Sequence, residues 1–111
     1  MLILVNVVSK NQIISYIVLK LKANIMTKEN IQSKIAGFIS NNVFSGKIPS
    51  DFTNNSPLVS SRLMNSITVL QMVSFLEEEL KVEFEAHEIS ADNLDTVNIL
   101  TDFIAKKLNV K

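Results

Sequence analysis

From residue 27 onward the apolar residues recur at helical steps. Ile31, Ile35, Phe38 and Ile39, followed by Val43 and Phe44, fall three or four apart, the spacing that lines one side of a helix. Thr27 stands where an N-cap belongs, and the pattern runs out at 41–43, so a first helix is predicted between them. A second run of helix formers extends from Val69 to Leu80, opened by Asn65 or Ser66. Its buried stripe is read as Leu70, Val73, Leu76 and Leu80, flanked by Val69 and Met72, with Gln71, Ser74, Glu77 and Glu78 on the exposed side. Met72 is read as core filler. A last helix is capped by Thr96 and directs Val97, Leu100, Phe103, Ile104 and Leu108 inward, while Lys106, Lys107 and Lys111 complement its C-terminal dipole. Turn formers crowd 45–51 and 54–57, a loop long enough to cross the domain, with Ile48, Phe52 and Leu58 expected beneath it. A short irregular or helical stretch is expected between His87 and Leu94. The result is an all-α fold of three longer helices and one short one.

The first 25 residues break this pattern. Two apolar runs, 1–8 and 13–21, are separated by Ser9-Lys10-Asn11-Gln12. A lysine at a bilayer midplane costs about 2.5–3.5 kcal/mol, so a membrane-spanning helix fits poorly. No basic residue precedes the first run, as a secretory signal requires. The β-branched content would allow a two-stranded hairpin, which is marginal alone. The segment 1–25 is read as an N-terminal extension peripheral to function, with Met26 a natural beginning of the folded unit; association with a membrane through this extension is the remaining alternative.

Composition narrows the chemistry. At 111 residues the chain bounds one small domain, and 47% hydrophobic residues suffice for a core. The absence of Cys excludes disulfides, thiolate metal sites and a Cys nucleophile. One histidine, His87, leaves no His-based metal cage, and two glycines, Gly37 and Gly46, cannot build a nucleotide-binding loop. His87 is read as a surface residue. The segment at Asp92 and Asp95 lacks the glycine and glutamate of a calcium loop. Eleven basic and eleven acidic residues cancel, yet the cancellation is uneven. Residues 1–25 carry three lysines and no acid, whereas 66–102 carry nine acids and only Lys81. That window repels nucleic-acid phosphates and favours basic protein partners, although a solvated face kept soluble by charge has the same composition.

The segment Leu58-Val59-Ser60-Ser61-Arg62-Leu63-Met64-Asn65-Ser66-Ile67 carries the most specific signal. It resembles the attachment motif of acyl and peptidyl carrier proteins, a Leu-Phe-Ser-Ser-Gly-Leu-Leu-Asp-Ser-Leu type of stretch that presents a serine at the start of the second helix. The resemblance continues through the helix ending Leu76-Glu77-Glu78-Glu79-Leu80 and through Asp95-Thr96-Val97, and covers about 26–108. It implies a small four-helix bundle of acyl-carrier type over 26–111, with Ser66 esterified by 4′-phosphopantetheine from coenzyme A. The arm's thiol would hold acyl or aminoacyl groups as thioesters in a chain that has no Cys. A phosphodiester suits a helix N-terminus, where free N–H groups and the dipole favour an anion by about 0.3–1 kcal/mol.

The same resemblance implies a stand-alone cytoplasmic carrier that is not itself an enzyme and has no catalytic residues. Its partners would be a phosphopantetheinyl transferase, a loading ligase or synthase, and downstream transferases. Ile67, Glu77 and Glu78 would contact them, with Gln71 and Ser74 as neighbours, and a monomer is expected. The Ser-Ser-x-Leu-Met-Asn-Ser spacing looks closer to discrete carriers of nonribosomal-peptide and aminoacyl pathways than to the fatty-acid carrier, with polyketide synthesis a further setting. Two positions depart from the family: Asn65 replaces the usual Asp, keeping the cap but losing a charge, and Arg62 replaces the common Gly. Because that Asp helps engage the transferase, the alternative is a carrier-fold interaction protein that is no longer loaded. Ser60 and Ser61 are loop serines not expected to be modified.

Overall fold

The computed structural model describes residues 26–110 together with Ile14 and Ile17. The expectations for 1–25 and for Lys111 otherwise lie outside the described residues; Ile14 and Ile17 are helical and about half exposed. Among the described residues there is no strand. The elements are α1 (Lys28–Asn42), α2 (Ser66–Leu80), a single 3-10 turn (Ala86–Glu88), α3 (Ala91–Leu94) and α4 (Val97–Leu108). Three longer helices and one short one therefore form a small all-α bundle, as the periodicity predicts.

Each long helix begins at the cap read from the sequence. Thr27, Asn65 and Thr96 all have extended backbone, and each side-chain oxygen accepts the N–H three residues on, from Asn30, Thr68 and Ile99 respectively. The bond satisfies a donor that the first helical turn would otherwise leave unpaired, contributing about 0.5–2 kcal/mol. Two helices stop at a left-handed residue, α2 at Lys81 (φ 54°) and α4 at Asn109 (φ 56°). At Asn109 the reversed backbone turns its N–H onto the carbonyls of Ala105 and Lys106.

α1 packs against both α2 and α4, and α3 packs on α4. The core joins Ile31, Ile35, Phe38 and Ile39 of α1 to Val69, Met72, Val73, Leu76 and Leu80 of α2 and to Val97, Leu100, Ile104 and Ala105 of α4. Leu58 and Met64 from the long loop, Val82, and Leu94 of α3 close it. Burying such a side chain stabilises by about 1.5–3 kcal/mol. The Phe38 and Phe75 rings add a tilted contact between α1 and α2, 5.4 Å between centroids.

Several side chains are placed otherwise than the pattern predicts. Leu70 is 56% exposed, and the buried stripe of α2 is centred on Val69, Met72, Val73, Leu76 and Leu80 instead. Leu70 lies about 100° further round the helix than Val69, which carries it off the face against α1. Ile48 is 47% exposed rather than tucked under the loop, whereas Leu58 is fully buried. Phe52 and Leu108, by contrast, pack against the core as expected while staying half-buried, and Phe103 is half-buried. Phe52 stacks edge-on against Phe44, and Phe103 lies beside Phe84 with the Lys107 ammonium 5.4 Å from its ring.

Candidate functional site at the start of α2

Asn65 fixes the geometry here. Its Oδ1 accepts both the Thr68 N–H (2.9 Å) and the Thr68 hydroxyl (3.0 Å), so the first turn of α2 begins at Ser66. Ser66 is exposed, and its hydroxyl meets no hydrogen-bonding partner among the described residues. The N–H groups of Ser66 and Ile67 likewise find no acceptor among them. The neighbouring serines are engaged: Ser60 donates to Asp95 Oδ2 (2.7 Å) and Ser61 to the Pro57 carbonyl (2.7 Å). Of the three serines in 58–67, only Ser66 presents an uncommitted hydroxyl.

The loop leading to Ser66 is held by the junction of α3 and α4. Asp95, between α3 and the cap of α4, accepts the N–H groups of Val59 (2.9 Å) and Ser60 (2.8 Å) as well as the Ser60 hydroxyl. Its own carbonyl takes the Leu58 N–H at 2.6 Å, and the Leu58 carbonyl takes the Met64 N–H at 2.9 Å. The Ser60 N–H, the Ser60 hydroxyl and the Val59 N–H together hold the Asp95 carboxyl below its ordinary value. The sequence alone assigns Asp95 no such task; an acid directly before an N-cap is the available signal.

A cleft of about 510 Å³ opens beside Ser66, lined by Met64, Val69, Leu70, Ile89 and Leu94 and edged by Arg62, Asn65 and Ser66. The lining is mostly apolar, and the exposure of Leu70 follows from its place on this wall. Arg62 adopts a left-handed backbone (φ 65°), a conformation in which a side chain is strained and glycine is not.

The residues expected to face partners divide. Ile67 is 68% exposed, immediately beside Ser66, and Glu78 is exposed further along α2. Glu77 is half-buried, and its Oε2 accepts the Phe84 N–H at 2.9 Å. It therefore ties the segment after α2 back onto the helix rather than standing free. Glu79 pairs with Lys34 at 2.9 Å, and Glu88 with Lys107 at 2.7 Å. Glu88 is held below the usual carboxylate range by the Glu85 N–H and by Lys107. His87 is exposed, 3.4 Å from Glu85. Among the described residues no group of three or more His, Asp or Glu is placed to hold a metal ion, and no helix is long and apolar enough to cross a membrane. Compared with known protein families and with curated proteins, the chain matches no family model and no curated relative.

Proposed function

We propose that this protein is a carrier whose Ser66 bears a 4′-phosphopantetheine arm, on which acyl or aminoacyl intermediates are presented to partner enzymes. The observation that carries the reading is the Ser66 hydroxyl: exposed, without an acceptor, at the first residue of a capped helix and at the mouth of an apolar cleft. The residues present fit the group. A free hydroxyl can be esterified, two unsatisfied N–H groups can receive a phosphodiester oxygen, and the cap residue Asn65 carries no charge.

In the loading step the Ser66 oxygen bonds to the phosphorus bearing the pantetheine of coenzyme A. The bond from that phosphorus to the bridging oxygen breaks, 3′,5′-ADP leaves with that oxygen, and the serine proton passes to a base of the transferase. The bound group supplies a thiol at the end of a flexible arm. The chain's own part is to present Ser66 on a rigid helix start, to shelter the arm's apolar portion against Met64, Val69 and Leu94, and to offer Ile67 and Glu78 to partners. Charges at the rim of such a surface tune association rate more than final affinity, which suits brief visits to several enzymes.

The test is intact mass after incubation with coenzyme A and a broad-specificity transferase. The wild-type chain gains one phosphopantetheine and Ser66→Ala gains none. An adduct on Ser66→Ala, or none on the wild type with several transferases, sinks the assignment; the second outcome favours the unloaded interaction protein to which Asn65 points.

A further inference from the structure

Arg62 is the only charged residue between positions 52 and 76, and it lines the same cleft as Ser66. Its backbone is pinned, with the N–H donated to the Val59 carbonyl at 3.0 Å and φ at 65°, so the root of the side chain is fixed at the mouth of the cleft. None of the ion pairs among the described residues includes it. An uncommitted guanidinium at a strained position contributes no tertiary ion pair to the apo fold. Asn65 completes the electrostatic arrangement, since it caps α2 as an aspartate would without placing a negative charge beside Ser66.

We propose that Arg62 is a positioning residue for the arm: its guanidinium pairs with the phosphodiester on Ser66 and holds the arm against the cleft. This rests on the reading of Ser66 as the attachment residue. A guanidinium presents paired N–H donors to phosphate oxygens, and an ammonium acts as a point charge, so lysine replaces it only in part. The arm of this carrier is thus biased towards one side of α2, the wall formed by Leu70, Ile89 and Leu94.

The experiment compares unloaded and loaded full-length chains of wild type, Arg62→Gln and Arg62→Lys. Comparing loaded with unloaded within each variant cancels any change that the substitution makes to the fold. Loading should raise the wild-type Tm by about 2–4 °C at low salt. The gain should shrink at high salt, be intermediate in Arg62→Lys and fall in Arg62→Gln to the smaller part that the helix N-terminus alone supplies. An equal gain in Arg62→Gln overturns the proposal. A second measurement needs no transferase: phosphoserine incorporated directly at position 66 and followed by phosphorus NMR. With Arg62 present the phosphate should titrate roughly half a pH unit lower than in Arg62→Gln, and coincident curves count against the pairing. If Ser66 accepts no adduct, its assignment as the attachment residue fails, and the phosphoserine titration alone decides on Arg62.

Discussion

Replacing Asp95 by alanine removes the carboxylate that ties Val59 and Ser60 of the Ser66 loop to the α3–α4 junction. Three donors lose their acceptor: the Val59 N–H, the Ser60 N–H and the Ser60 hydroxyl, at 2.9, 2.8 and 2.7 Å. Hydrogen bonds to a charged partner contribute about 1.5–3 kcal/mol each when water is excluded. Here Ser60 is exposed and Val59 half-buried, so water can replace much of what is lost. The expected cost for the set is about 2 kcal/mol, equivalent to a Tm lower by roughly 8–16 °C for a domain of this size. Asp95→Asn should cost less than half as much, because its amide oxygen still accepts the two backbone N–H groups without charge assistance.

The pH dependence separates a lost hydrogen-bond set from a generic packing defect. The folded Asp95 carboxyl lies below its ordinary value of 3.8, so its contribution is fully present well above 3.8. It is lost as pH falls through the lowered value. Thermal melts by circular dichroism between pH 7 and pH 2.5 should therefore show a gap between wild type and Asp95→Ala that is constant near neutrality and narrows towards acid. A gap below about 2 °C at pH 7, or one that keeps its full size at pH 2.5, refutes this account of the loop.

Two further perturbations probe the elements around the site. Met72 is fully buried and Leu70 largely exposed, so Met72→Ala should cost about 2–5 kcal/mol and Leu70→Ala no more than about 0.5 kcal/mol in urea unfolding. Comparable losses from the two would restore the stripe centred on Leu70. Asn65→Ala should cost about 0.5–2 kcal/mol through the lost cap, whereas Asn65→Asp should leave stability unchanged or slightly raised, because an acid at a helix start also favours the dipole. A large loss in Asn65→Asp, read in the same unfolding experiment, would show that Asn65 contributes more than a cap acceptor.

What the sequence alone determined about this protein is local. The caps at Thr27, Asn65 and Thr96 bond to N–H groups three residues away, and the α1 stripe of Ile31, Ile35, Phe38 and Ile39 follows from helical pitch, so neither needs knowledge of the rest of the chain. Ser66 at the first residue of α2 belongs to the same class, because an N-cap defines the position after it. The tertiary structure decided matters that depend on partners far along the chain. Asp95 reaches Val59 and Ser60 across 36 and 35 residues, and Glu77 is taken up by the Phe84 N–H once the chain turns back at Lys81. Leu70 was misplaced for a related reason: periodicity shows that α2 has an apolar side, but α1 selects which residues face it and leaves Leu70 to the cleft. Arg62 sits in a left-handed turn closed by Val59, and that turn places its charge at the mouth of the same cleft as Ser66.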